Sequence, residues 1–343
     1  MYDLGQITAA TTARQYRRIF EKYAEETGIS DKFFTNFQTH DFSFRGLHGP
    51  EAAARLGAAV LTSTFGTDTV VAIDYLENFY GANSDNELVG VSVSASEHAV
   101  TCAGGMANER DTYLRWMTEV FPTGILSCVC DSWDYWNTVT NIIPSLKKEI
   151  MERNGKFVVR PDSGDPVLMV IGDETAPVGS PEYKGTVECL WETFGGTVNS
   201  KGFKELDFHI GMIYGDACTP ERVERMLAGL KKKGFASNNL VIGAGSYSVG
   251  YTTRDTHGMA VKATYCEVDG IGREIFKSPK TDSKKNSAKG ILMVVKDDNG
   301  TFTLKQGCTW EEEQSDKNEL KTVFKNGKLT RFETLKQIRE RIK

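Results

Sequence analysis

Arg160-Pro161-Asp162-Ser163-Gly164 is the stretch of this chain whose residue types best suit chemistry. A guanidinium is a planar fork for phosphate oxygens, and a carboxylate can hold hydroxyls or, through water, a metal. The pair suits a phosphorylated sugar; a surface turn closed by a salt bridge is the other reading of the same residues. Phe157-Val158-Val159 leads into it and favours extended backbone. Pro161 biases Arg160 away from helix, and Gly164 permits a tight turn.

Other apolar runs end in the same manner. Ile125–Cys130 ends in Asp131, Phe208–Tyr214 in Gly215-Asp216, and Leu240–Ile242 in Gly243-Ala244-Gly245-Ser246. Helical sequence follows Asp131 up to about Arg153, and a second helix opens with Thr219 as cap and Pro220 in the first turn. Buried strands alternating with helices predict parallel strands joined by crossovers. In such folds the residues just beyond the strand C-termini line one mouth. Asp131, Arg160, Asp162, Asp216 and the Gly243–Ser246 loop are therefore expected to face one pocket. The N–H groups of that loop suit a phosphate. It matches no dinucleotide fingerprint and has no P-loop Lys, so ordinary turn chemistry accounts for it equally well.

The N-terminal third must position the rest. Residues 11–27 read as a helix, with Tyr16, Ile19, Phe20 and Tyr23 on one face and Gly28 as the stop. In His40-Asp41-Phe42-Ser43-Phe44-Arg45-Gly46 the polar and aromatic residues alternate, which predicts a short strand. It offers either a stacking ring beside an anion clamp or an edge strand with one snorkelling Arg. A helix is expected over 50–61 and another from about Val70 to Tyr80, with Asp68 or Thr67 as its cap. Val91–His98 alternates, and His98 at its end is either a structural or a catalytic histidine. A further helix is expected around Glu182–Phe194. Residues 276–290 read as a long polar loop, and hairpins are expected around Asp297-Asp298-Asn299-Gly300 and Asn326-Gly327, followed by a basic amphipathic helix from about Glu333.

The composition is that of a globular protein: 40% hydrophobic, 25% charged, with 41 basic against 46 acidic residues. The net charge of −5 supports neither a nucleic-acid nor an anionic-membrane partner. No apolar stretch approaches the roughly 18 residues of a membrane span. The first residues have neither a basic n-region nor an apolar h-region, so no signal peptide is expected. The cysteines, 7 in number, are scattered without a zinc spacing and read as reduced thiols of a cytoplasmic protein.

Taken in order, His40-Asp41-Phe42 with Arg45-Gly46, Gly66-Thr67-Asp68-Thr69, Ser96-Glu97-His98, Asp131-Ser132, Arg160–Gly164, Gly215-Asp216, Thr253-Arg254-Asp255 and Val323–Lys328 resemble the nicotinamide phosphoribosyltransferases, of the type II phosphoribosyltransferase family. The resemblance covers nearly the whole chain. It implies an α/β fold: a type II phosphoribosyltransferase-like α/β barrel over residues 1–275 and a partial α+β companion domain over 276–343. It implies reaction of nicotinamide with phosphoribosyl pyrophosphate, with Mg²⁺, to give nicotinamide mononucleotide and diphosphate in NAD salvage. By motif, Phe42 would stack on the pyridine ring and Asp68 would accept the carboxamide N–H. Arg45, His98 and Arg160 would hold the diphosphate. Asp162, Gly215 and Asp216 would hold the ribose and its phosphate. Asp131, Gly245 and Ser246 complete the expected site. Family enzymes are dimers with shared sites, so Arg254 and Lys262 would come from a neighbouring subunit. His98 would match the family's phosphorylatable histidine, with ATP as activating co-substrate.

The same resemblance marks departures. Family enzymes extend well beyond the position of Met1, and a second pyridine-sandwiching aromatic belongs to that part. Gly245-Ser246 stands where the family has a longer glycine run, and Ala260 where it has a phosphate-contacting Ser. A separate polypeptide supplying the missing part is therefore an expectation. A non-catalytic or partner-dependent phosphoribosyl-binding subunit and a nicotinate-using relative are the alternative readings; Asp68 opposes the latter, because a nicotinate carboxylate there would face like charge.

Overall fold

The computed structural model describes residues 4–250, 260–281 and 286–341. They form two compact units, Met1–Lys262 with Lys277–Asn286, and Ala263–Phe276 with Ser287–Lys343. Residues 263–276, grouped with the barrel by sequence position, thus belong to the second unit, and 277–286 return to the first. The cause is local: Tyr265–Val268 and Ile271–Glu274 pair as a hairpin, and the Thr264 carbonyl accepts the Gly290 and Ile275 N–H groups of the same unit.

The first unit is built on parallel strands: β1 (Thr39–Asp41), β2 (Gly66–Thr67), β3 (Ser94–Ala95), β4 (Thr123–Val129) and β5 (Asn154–Arg160). A small antiparallel hairpin of β6 (Gly196–Val198) and β7 (Lys204–Leu206) intervenes before β8 (Ile210–Tyr214) and β9 (Val241–Ala244). The order in the 7-stranded sheet is β2-β1-β9-β8-β5-β4-β3, and every pair in it is parallel. Its two ends meet. Gly66 bridges Val91 in parallel, just ahead of β3, with Thr67 N–H donating to the Val91 carbonyl at 2.9 Å and Val91 N–H to the Phe65 carbonyl at 2.8 Å. The sheet is therefore closed into a barrel.

Strand alternation sorts the side chains into two environments. Leu126 and Cys128 of β4, Phe157 and Val159 of β5, Ile210, Met212 and Tyr214 of β8, and Ile242 and Ala244 of β9 join the main hydrophobic core beneath the helices. Their neighbours of opposite parity, among them Ser127, Arg160, Gly211 and Gly243, point towards the barrel axis. Helix α1 (Leu4–Thr27) begins earlier than its aromatic spacing suggests, because Ala9 and Ala13 extend the buried stripe that Tyr16, Phe20 and Tyr23 continue. It stops at Gly28, where φ is +66° and the N–H returns to the Ala24 carbonyl at 2.9 Å.

Several local expectations are revised. The alternation from His40 to Arg45 is strand only to Asp41; Asp41 Oδ1 accepts the Ser43 N–H at 2.9 Å and the chain turns into a 3₁₀ segment, Phe44–Gly46. Helix α2 (Pro50–Val60) is as expected. Helix α3 (Val71–Tyr80) has Val70 as its first flanking residue and no side-chain cap, so neither Thr67 nor Asp68 caps it. Instead Thr67 Oγ1 accepts the Thr69 N–H at 2.9 Å. Gly185, at φ +79°, divides the expected helix at 182–194 into Pro181–Lys184 and Thr186–Phe194. Thr219 does cap Pro220–Lys232.

The second unit is made of hairpins and two short helices, Trp310–Glu313 and Leu335–Arg341. Met293–Lys296 pairs with Phe302–Lys305, and Phe324–Lys325 with Lys328–Leu329 across Asn326 and Gly327, both at positive φ. Asn318, 1% exposed, ties the unit together: its Oδ1 accepts the Val294 and Leu320 N–H groups, and its Nδ2 donates to the Glu313 carbonyl.

Candidate functional site

The barrel delivers its polar residues just past the C-terminal ends of its strands. Phe42 follows β1, Asp68 follows β2, and Glu97 and His98 follow β3, with His98 opening α4 (His98–Gly104). Asp131 lies beyond β4, Arg160 ends β5 with Asp162 after it, Gly215 follows β8, and Gly245 follows β9.

Asp131 is the hub. Its side chain is fully buried, yet both oxygens are occupied. Oδ1 is 2.8 Å from His98 Nε2; Oδ2 accepts the Asp162 N–H at 3.1 Å and lies 3.4 Å from Lys277 Nζ. Burial pushes its pKa up, but the His98 hydrogen bond and the charges of Lys277 and His98 outweigh that and hold it well below the ordinary carboxylate range. The same contact acts in reverse on His98. Burial pulls the imidazole down, whereas Asp131 and Glu97 raise it further, so it ends above its ordinary value.

Arg160 crosses this mouth. Its Nη2 is 3.5 Å from Asp162 Oδ2 and 4.0 Å from Glu97 Oε2, and its Cζ is 5.8 Å from the Phe42 ring centroid. Burial lowers the guanidinium pKa, but Asp162, Glu97, Asp131 and Asp68 together raise it above its ordinary value. Glu97 is held at about 2, chiefly by His98, against burial and with help from the charges of Arg160 and Arg45. The arrangement is a permanently charged fork framed by carboxylates, and its contact with Glu97, at 4.0 Å, is long enough that an anion could compete for the same guanidinium.

Two glycines are required by close approach. A Cβ on Gly243 would lie 2.1 Å from Phe42 Cδ2, and one on Gly215 would lie 2.1 Å from Asp162 Oδ1. The ring and the carboxylate are thus laid against bare backbone. Gly245 is different, since a Cβ there would meet nothing within 4 Å. Ser246 is buried at the start of a 3₁₀ turn, Ser246–Ser248. Arg45 and Asp216 are exposed at the rim. Lys262 is exposed at the end of the first unit's main segment, and Arg254 lies outside the described residues.

Strand-end reasoning placed Asp131, Arg160, Asp162, Asp216 and the Gly243–Ser246 loop in one pocket, and the resemblance added His98; the distances above bring Asp131, Arg160, Asp162 and His98 together, while Asp216 is exposed. Sequence reasoning missed four participants. Glu97 stood inside a recognised motif and was passed over. His40 and Ser92 both reach Asp68 Oδ1, at 3.0 Å and 2.5 Å. Lys277 belongs to a Lys- and Ser-rich stretch that read only as loop. That stretch is fastened to the first unit: Ser278 and Lys280 N–H groups donate to the Ser132 and Trp133 carbonyls at 3.1 Å and 3.0 Å, and Thr281 Oγ1 is 2.5 Å from Ser163 Oγ.

The model of the nicotinate phosphoribosyltransferase (NAPRTase) family matches residues 37–328. The chain belongs to that family. Among its relatives, the nicotinamide phosphoribosyltransferase of Acinetobacter baylyi is 47% identical over 342 residues, covering 98% of this chain and 66% of that protein. The enzyme of the same name from Mycoplasma pneumoniae is 37% identical over 82% of this chain and 59% of its own length. That from Xanthomonas campestris pv. campestris is 31% identical, covering 97% and 68%. The chain thus spans 66% and 59% of the first two relatives, less than two thirds of either. A solved Saccharomyces cerevisiae structure, assigned provisionally as a nicotinate phosphoribosyltransferase, aligns over 84% of this chain and 60% of that one, at 14% identity and TM-score 0.50. At that identity it shows the NAPRTase-type fold alone. No helix among the described residues is long and apolar enough to cross a membrane.

Proposed function

We propose that this NAPRTase-family chain carries the phosphoribosyl-transfer site of a nicotinamide phosphoribosyltransferase. The reaction joins nicotinamide to phosphoribosyl pyrophosphate, giving nicotinamide mononucleotide and diphosphate for NAD salvage in the cytoplasm. The observation that carries this reading is the ionised Asp68 at the pocket mouth. Burial raises its pKa, but the His40 and Ser92 hydrogen bonds and the charges of His40 and Arg160 bring it below the ordinary value. A carboxylate there accepts an amide N–H and repels the carboxylate of nicotinate.

The pyridine nitrogen is itself the nucleophile, so the protein need supply none. It attacks the ribose anomeric carbon as the bond from that carbon to the diphosphate oxygen breaks. Positive charge grows on the ring and negative charge on the leaving group, and catalysis reduces to positioning and electrostatic stabilisation. Phe42, backed by Gly243, stacks on the pyridine. Arg160 and Arg45, with His98, take the diphosphate; Asp131 favours the charged form of His98 and orients it for that contact. Asp162 and Asp216, with Gly215, hold the ribose and its phosphate, and the N–H groups at Gly245 and Ser246 help with that phosphate. Mg²⁺ is bound in such sites by one or two carboxylates plus substrate phosphates, and Asp162 and Asp216 fit that donor set; it would screen charge on the diphosphate.

Further parts of this reading come from the family resemblance. ATP acts as activating co-substrate through His98. A homodimer shares its sites, with Arg254 and Lys262 serving the neighbour's pocket.

The test is direct. Purified protein with nicotinamide, phosphoribosyl pyrophosphate and Mg²⁺ should release nicotinamide mononucleotide and diphosphate in equal amounts, and nicotinate should compete poorly. Ligand binding without diphosphate release would favour a partner-dependent or non-catalytic subunit. Equal use of nicotinate would overturn the role given to Asp68.

A further inference from the structure

Asp68 does not stand alone at the mouth. Three neighbouring strands of the barrel contribute to one small cluster: His40 within β1, Asp68 just after β2, and Ser92 between the Val91 bridge and β3. His40 Nε2 and Ser92 Oγ both meet the same carboxylate oxygen, Oδ1, at 3.0 Å and 2.5 Å. Among the described residues Oδ2 accepts no hydrogen bond, and the Asp68 side chain remains 44% exposed.

The histidine is rigidly placed. It is 8% exposed, and its ring centroid lies 5.3 Å from that of Phe42 at an interplanar angle of 60°. Gly66 backs it so closely that a Cβ there would be 2.7 Å from Nδ1. Its direction is thus set by the barrel before any ligand arrives. With Nε2 carrying a proton towards Asp68, the imidazole donates; the serine hydroxyl donates to the same oxygen. A lone carboxylate on one side chain rotates and offers its lone pairs in many directions. One whose first oxygen is pinned by two donors keeps its plane and presents the second oxygen outward.

We propose that His40 and Ser92 are positioning residues that fix the plane of the Asp68 carboxylate, so that Oδ2 is presented to the carboxamide N–H of the base. His40 is the principal one because it is buried and braced, while Ser92 is exposed. This rests on the reading of Asp68 given above. Neither residue touches the reacting atoms in this role; each acts through Asp68, on binding of the base rather than on bond breaking.

The experiment begins with the unaltered protein, measuring nicotinamide binding by calorimetry and turnover by nicotinamide mononucleotide formation. His40→Leu should raise KM for nicotinamide on the order of tenfold, as befits loss of a charge-assisted hydrogen bond that orients the acceptor. It should leave kcat within about threefold and KM for phosphoribosyl pyrophosphate within about twofold. His40→Gln, which keeps a donor near Nε2, should recover most of the loss. Ser92→Ala should move the same parameter by about threefold, and His40→Leu added to Asp68→Asn should cost nothing more. An unchanged KM for nicotinamide in His40→Leu, an equal rise for both substrates, or no rescue by Gln would overturn the inference. Should His40→Leu fail to fold by circular dichroism, exposed Ser92→Ala decides: no change in KM overturns the proposal. If the unaltered protein neither binds nor converts nicotinamide, the reading of Asp68 falls and this inference with it. Full activity with indifferent variants removes the inference alone.

Discussion

Asp131 receives His98 on one carboxylate oxygen, at 2.8 Å, and the backbone N–H of Asp162 on the other, at 3.1 Å. One buried charge therefore fixes both the imidazole after β3 and the turn after β5. Asp131→Asn keeps the shape and removes the charge. The folded-state pKa of His98 is raised, so this pair adds stability that is complete below the ordinary histidine value and lost as pH rises through the folded value. In Asp131→Asn the histidine pKa should fall, and that pH-dependent part of the stability should vanish. Proton NMR titration of His98, with urea melts at pH 5.5 and 8.5, checks both; an unmoved histidine would contradict the assignment. Turnover should drop about a hundredfold if the histidine is held for the diphosphate.

Gly243→Ala should displace Phe42, because the new methyl carbon would stand 2.1 Å from its Cδ2. The expected outcome is weaker binding of the base, with the fold retained. Phe42→Leu should be defective for stacking on its own, but combined with Gly243→Ala it should restore normal stability, since the smaller side chain vacates the contact. Thermal melts of the two single variants and the double variant measure that coupling.

Asp41 is buried with a raised pKa, mainly through desolvation, and among the described residues its Oδ2 has no hydrogen-bond partner. A carboxyl whose folded pKa exceeds its unfolded value gives stability at low pH, lost as pH rises from the ordinary aspartate value through the folded one. Asp41→Asn should therefore flatten the stability profile across that interval and leave the protein at least as stable at pH 7. Denaturant midpoints measured from pH 4 to pH 8 give the comparison.

Among the described residues Arg153 pairs with no carboxylate. Buried, its guanidinium donates to the carbonyls of Phe121, Thr123, Gly124 and Lys156, which joins the start of β4 to that of β5. Arg153→Met keeps much of the packing and leaves those carbonyls unpaired. A loss of about 3 kcal/mol is expected, from charged hydrogen bonds of roughly 1.5–3 kcal/mol each with partial recovery by water. Chemical denaturation measures it, and a change under about 0.5 kcal/mol, the size of an ordinary surface substitution, would show that water replaces the guanidinium.

The strand ends were legible because each apolar run stops at a charged or glycine residue, and parallel topology then forces those ends together. Arg160, Asp131 and Asp162 are near one another for that reason. What escaped reading had no such signature. β3 is only Ser94–Ala95, and its barrel closure depends on Val91, so an alternating stretch that looked like one strand is a bridge, a break and a short strand. His40 was noticed only as the neighbour of Asp41 and Phe42, since alternation does not say which barrel-facing residue will meet a carboxylate on the next strand. Asp68 looked like a helix cap by sequence position. The helix begins without one, and the carboxylate is left to the pocket. Lys277 lies far along the chain from Asp131, and no local pattern reports an ion pair across that separation.

Residues 277–281 are fastened to the loops after β4 and β5, although the chain on both sides of residues 277–286 belongs to the second unit. Gene dissection must respect that interleaving. A stop codon after Lys262 deletes more than the second unit: it also removes Lys277 from Asp131 and Thr281 from Ser163. A stop after Asn286 keeps the first unit whole but leaves residues 263–276 of the second in the chain, so a gene for the first unit alone has to splice 262 to 277 through a new linker as well.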